Sequence, residues 1–92
     1  MWKAKVVDLS AGPVTVSSIA TKVYGIYVNV ALASGGCDIK NGSTTFFVIP
    51  SALTAGDAVV FAGEDGVIFS DNVIASPTAV TGSFTILYKD NI

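Results

Sequence analysis

No stretch of this chain repeats apolar residues every three or four positions, as an amphipathic helix would. Instead β-branched and aromatic residues gather in short runs separated by Gly, Asn, Asp, Ser and Pro. The runs are residues 2–8, 14–19, 22–33, 37–40, 44–49, 57–61, 66–69, 72–75 and 83–89. Regularly spaced short runs of this kind predict an all-β fold, an antiparallel β-sandwich of jelly-roll-like form. Residues 1–92 read as a single domain without internal repeats or linkers, with 1–12 as an N-terminal arm or edge strand. The connection "PSALTAG", residues 50–56, predicts one short helical turn.

Two runs predict central strands. In "VYGIYVNVAL" the residues Tyr24, Ile26, Val28, Val30 and Leu32 alternate onto a core face, leaving Val23, Gly25, Tyr27, Asn29 and Ala31 on a smaller, mixed face. In "SFTILYK" Phe84, Ile86 and Tyr88 form the buried face of an antiparallel strand.

The stretch "IKNGSTTFFVIP" reads as a hairpin, because Asn41-Gly42 suits a two-residue turn in which both central residues take positive φ. That register pairs Ile39 with Thr44 and Cys37 with Phe46, so Cys37, Ile39, Phe46 and Val48 face the core. Phe47 and Ile49 then face away and need a cover: the chain's own first strand, the 50–56 connection, or another subunit. A longer turn with a bulge after Gly42 would exchange the two faces.

Composition adds to the case for a partner. The chain is 51% hydrophobic and 13% charged, whereas a soluble domain carries about 25% charged residues. A chain of this size hides only about 60–65% of its unfolded surface, which leaves a lone core marginal. Trp2 and Val6 on the first run join Phe47 and Ile49 as expected protein contacts. The first run is expected to serve as an edge cover or to add to a neighbour's sheet, so that its removal weakens assembly and leaves β content intact.

Several chemistries are disfavoured. The chain has no histidine, the commonest general base, and a single cysteine, Cys37, which reads as a small buried hydrophobe. One Cys without His makes no zinc site. Glu64, Asp65 and Asp71 fall in neighbouring turns, but their spacing matches no Ca²⁺ loop. The glycine pairs at 35/36 and 63/66 precede no helix and so make no phosphate loop. No cofactor is expected, and the protein reads as a non-enzyme. Five lysines without arginine, spread along a chain of net charge −2, argue against nucleic acid. No run approaches the roughly 18–20 apolar residues of a membrane span. Asp8 interrupts any secretory signal, so the chain reads as made and kept without export. A carbohydrate platform would draw on Trp2, Tyr24, Tyr27 or Tyr88.

With the strands laid out, "VYGIYVNVAL", "IKNGSTTFFVIP", "GVIFSDNV" and "TGSFTILYK" together resemble small β-sandwich virion proteins of tailed bacteriophages. The likeness is a running order spanning about residues 14–89. A Tyr-rich strand leads to a hairpin ending in "IP", then a "GVIF" strand before an Asp-Asn turn, then a last strand ending in Tyr and a basic residue. The resemblance implies a capsid decoration (cement) protein on the virion surface, made in the host cytoplasm, homotrimeric and bound to the major capsid protein. Its alternative is a tail or tail-fibre accessory domain that binds a receptor or carbohydrate. No active site comes with it.

Overall fold

The computed structural model describes residues 2–51, 53–61, 66–78 and 81–90. The strands are β1 (Lys3–Asp8), β2 (Val14–Ser17), β3 (Thr21–Ala33), β4 (Cys37–Asn41) and β5 (Thr44–Ile49), followed by β6 (Ala58–Val60), β7 (Val67–Phe69), β8 (Val73–Pro77) and β9 (Thr81–Lys89). They form two antiparallel sheets packed as a β-sandwich, the fold class that the runs predict. The first sheet is ordered β1-β9-β3-β6, with β7 also paired to β3, and the second is ordered β2-β8-β4-β5.

The pairings nest. The first strand pairs with the last, β2 with β8, β3 with β6 and β7, and β4 with β5. Successive nested pairs enter alternate sheets, so the inner faces of both sheets close on one core. Val7, Leu9, Val23, Val28, Ile39, Ile49, Phe69, Val73, Phe84 and Ile86 are its most buried large members.

β1 is an edge strand of its own sheet, paired with β9 from Lys3↔Tyr88 to Asp8↔Ser83. Of the two roles open to the first run, the structure shows the intramolecular one. Lys3 anchors its start by an ion pair of 3.0 Å to Asp90, and that hydrogen bond and charge raise the Lys3 pKa. At its other end the Asp8 carboxylate accepts hydrogen bonds from the Ser10 hydroxyl and amide, which lower its pKa and start a 3-10 turn over Leu9–Ala11. The turn drives Leu9 into the core as the chain crosses to the second sheet.

The buried face of β9 is the expected one, Phe84, Ile86 and Tyr88. In β3 the alternation breaks. Irregularities in its pairing with β9 fall at Val23/Gly25, Val28/Val30 and Val30/Ala33, and each switches which side chains point inward. Val23, Ile26, Val28 and Leu32 are therefore buried, while Tyr24 is half-buried and Val30 lies exposed. The single uniform core face expected for β3 is corrected accordingly.

The hairpin register is also corrected. Asn41 pairs with Thr44, so Gly42 and Ser43 form the turn, with Gly42 at φ +60 in its first position. A bulge at Phe46 follows, after which Ile39 faces Phe47 and Cys37 faces Ile49. The faces are thereby exchanged: Ile49 is 1% exposed and Phe47 half-buried, whereas Phe46 and Val48 are exposed.

The Asn41 side chain gives the reason. Its Oδ1 accepts from the Asp71 amide at 2.9 Å, its Nδ2 donates to Ser70 Oγ at 3.2 Å, and the Gly42 amide donates to Asn72 Oδ1 at 2.8 Å. This brace ties the β4–β5 turn to the β7–β8 turn, and it needs Asn41 in the strand rather than in the turn. Asn41→Ala removes these surface hydrogen bonds and is expected to cost about 0.5–1.5 kcal/mol. Urea denaturation measures it; an unchanged midpoint would show that the brace is not what holds the register.

The 50–56 connection is a turn rather than a short helix among its described residues. The Asp57 carboxylate accepts from the Thr54 amide at 2.8 Å, and the Asp57 amide returns a bond to the Thr54 carbonyl. On this side of the sandwich four phenylalanines bridge β5 to β6 and β7. Phe47 stacks on Phe61 with centroids 4.2 Å apart, and Phe46 and Phe47 reach Phe69 at 4.8 and 6.4 Å. The bulge lets two consecutive residues of one strand touch the same buried ring.

Candidate functional site

Of the four expected contact residues, the structure turns two inward. Ile49 lies in the core of its own subunit and Phe47 packs against that core, so the cover they need is intramolecular and the face reversal explains it. Trp2 and Val6 do remain at the surface, 41% and 63% exposed. Val6 belongs to the first sheet and Trp2 directly precedes its first strand; the outer side of that sheet carries an apolar face not singled out from the sequence.

The outward positions there form two cross-strand rows. One runs Ala4, Leu87, Gly25, Val60, and the other Val6, Thr85, Tyr27, Ala58. Neither row contains a charge. Tyr27, Val60, Val6 and Leu87 are 52%, 54%, 63% and 36% exposed, values that apolar side chains on an outer sheet face reach only when no layer covers them.

At the centre lies an open apolar depression of about 290 Å³. It is lined by Tyr24, Gly25, Tyr27, Val60, Thr85 and Leu87. At Gly25 a Cβ would stand 2.3 Å from the Val59 carbonyl oxygen, so only glycine lets β6 approach β3 so closely. Trp2 meets Tyr24 edge to face, with centroids 5.7 Å apart.

Polar groups mark the borders. Asn29 Nδ2 donates to Thr85 Oγ1 at 2.8 Å, so this pair's hydrogen bonding is satisfied within the sheet. Beyond the first row Lys22 and Lys89 sit directly opposite each other on β3 and β9. Like charges so placed repel.

Elsewhere the titratable groups offer little chemistry. Among the described residues no three His, Cys, Asp or Glu side chains gather into a metal-binding group. Asp71, one of the three acids weighed for calcium, is engaged beside the Asn41 brace through its backbone amide, while Glu64 and Asp65 lie outside the described residues. Cys37 is buried as expected, and burial, with Asp38 alongside, pushes its thiol pKa up to about 12. A thiol so protonated is no nucleophile near neutral pH.

No protein-family model, curated protein or solved structure matches the chain.

The signal for the outer face was present in sequence. The second faces of two central strands, Gly25 and Tyr27 on one and Thr85 and Leu87 on the other, lack charge at two successive outward positions each. A solvated sheet face normally alternates apolar-in with polar-out.

Proposed function

We propose that this protein is a non-enzymatic structural component of a phage virion, a capsid decoration protein that binds and stabilises the head shell as a homotrimer. The observation that carries the reading is the pair of uncharged cross-strand rows on the outer side of the first sheet, in a sandwich whose core is already filled from within. Apolar surface of this kind is stabilised by covering it with protein, at about 25 cal/mol per Å² removed from water. The nested strand pairing supports the jelly-roll form of the sandwich. Resemblance in strand order supports the virion setting, with the major capsid protein as partner on the capsid surface and synthesis in the host cytoplasm.

The mechanism is mechanical. A trimer that touches several coat subunits at once makes each later contact intramolecular, so detaching any one subunit requires breaking linked contacts. The test is thermal disruption of heads from the phage that encodes the chain, stripped of this protein and then resupplied with it. A saturable rise in the temperature at which the heads release DNA is expected; heads that neither bind the protein nor gain stability would refute the reading.

A second reading is a tail or tail-fibre accessory domain that binds a receptor or carbohydrate. Tyr24 and Tyr27 favour it, as aromatic walls beside the polar Asn29–Thr85 pair. It requires glycan or cell binding that is lost in Tyr27→Ala while the fold is kept.

A further inference from the structure

We infer that Asn41 is a site of spontaneous chemical modification, succinimide formation with Gly42 followed by hydrolysis, and that the brace between the β4–β5 and β7–β8 turns controls when it reacts.

The chemistry begins with residue order. Asparagine followed by glycine is where a backbone nitrogen reaches a side-chain carboxamide with least obstruction, since glycine has no Cβ to crowd the approach. Of the chain's four asparagines only Asn41 is so placed; Asn29, Asn72 and Asn91 precede Val30, Val73 and Ile92, whose branched side chains stand in the way. The Gly42 amide gives its proton to hydroxide, and its nitrogen bonds to Asn41 Cγ. The Cγ–Nδ2 bond then breaks, and the leaving nitrogen takes a proton from water and departs as ammonia. Water opens the ring at Cγ to give aspartate, or at the backbone carbonyl carbon of residue 41 to give isoaspartate, in which the main chain runs through the side-chain carbons.

In the folded chain both reacting groups are held by the same turn. The Gly42 amide donates to Asn72 Oδ1 at 2.8 Å. The Asn41 carboxamide accepts at Oδ1 from the Asp71 and Asn72 amides, at 2.9 and 3.4 Å, and donates through Nδ2 to Ser70 Oγ at 3.2 Å. Asn41 is also the last residue of β4, paired with Thr44, and an extended backbone holds the following nitrogen out of the plane that a five-membered ring requires. Ring closure therefore needs the carboxamide to turn, the Gly42 amide to leave Asn72 and the end of β4 to rotate, and the brace opposes all of these together. Two amides at Oδ1 also suit the negative charge that develops there during attack, but they help only a nucleophile within reach, and here the nitrogen is bonded elsewhere. Asn41 and Gly42 are half-buried at the surface, so water and hydroxide reach them once the turns part.

The two products differ in what they rebuild. An aspartate at position 41 still accepts from the Asp71 and Asn72 amides, and the Ser70 hydroxyl reverses to donate to it. An isoaspartate adds a carbon to the main chain before Gly42, so the pairing with Thr44 and the bond from Gly42 to Asn72 no longer form together. Modification at Asn41 thus records the parting of the two turns, and its isoaspartate branch prevents the brace from closing again.

Incubating the full chain in native buffer and in unfolding guanidinium chloride, at one pH and temperature, tests this. Peptide mass spectrometry follows the replacement of NH2 by OH at residue 41, with the isoaspartyl peptide separated by chromatography. Modification is expected at Asn41 before any other asparagine, and at least about tenfold more slowly in native buffer than in denaturant, because it requires local opening. Asn72→Ala removes the acceptor of the Gly42 amide and is expected to raise the native rate about two- to tenfold, the equivalent of one lost hydrogen bond, while leaving the rate in denaturant unchanged. Ser70→Ala, at an exposed position, carries the same test if Asn72→Ala does not fold. A native rate equal to or above the rate in denaturant would overturn the inference, as would native rates unmoved in the folded variants, or first modification at Asn29 or Asn72.

Discussion

Replacing Phe69 with alanine is expected to lower the unfolding free energy by about 3–5 kcal/mol, the cost of deleting a large aromatic side chain from a core. Phe69 is fully buried and touches both Phe46 and Phe47 across the opening between the sheets. For a domain of this length that loss should lower the melting temperature by more than about 12 °C. Phe46→Ala, at a position 39% exposed, is the comparison. Its expected cost is about 1–2 kcal/mol, since partial burial forfeits only part of the transfer term. Equal costs measured for the two variants by thermal and urea unfolding would contradict the placement of Phe69 at the centre of this cluster.

Deleting residues 1–9 is expected to abolish cooperative folding. The run at the N-terminus suggested a segment whose loss would spare the β content, and the structure assigns it a different part. Val7 and Leu9 are 0% and 1% exposed, and β1 pairs with β9 along six residues. Burying those two side chains alone contributes about 3–6 kcal/mol, much of the 5–15 kcal/mol that holds a typical domain together. The truncation also leaves the nine-residue β9 as an uncovered edge, a template for pairing with other chains. A broad, non-cooperative melt and concentration-dependent aggregation are the expected results. A truncated chain that melts sharply near the temperature of the full protein would show β1 to be dispensable.

How much of this was legible in the sequence depended on local regularity. β9 alternates without interruption over Phe84, Ile86 and Tyr88, so its buried face was read correctly. β3 and β5 were misread in part, because a bulge changes the parity of every residue beyond it and leaves no mark in composition. Tyr24 sits at one such irregularity and Phe46 at another. The Asn41-Gly42 pair pointed to a hairpin at the right place but with the turn one residue early. What moved it was a tertiary contact, the Asn41 carboxamide bonding to the Asp71 amide 30 residues away. No local rule about turn residues contains that information.

The candidate face was legible in halves. Trp2 and Val6 were found by position on an edge run, while Phe47 and Ile49 were drawn in by the reversed hairpin. Tyr27, Leu87 and Gly25 were each visible as outward residues of their own strands. That they adjoin follows only from the pairing of β3 with β9, a contact between segments far apart in the chain.

The central claim is the proposed homotrimer, in which protein covers the uncharged rows on the first sheet's outer side. Native mass by light scattering across a hundredfold dilution tests it most directly. The account predicts a particle of three 9.4 kDa chains that persists through most of the range and gives way to monomer only at the lowest concentrations. A monomer at every concentration, folded and soluble with Tyr27, Leu87 and Val60 facing water, would contradict it.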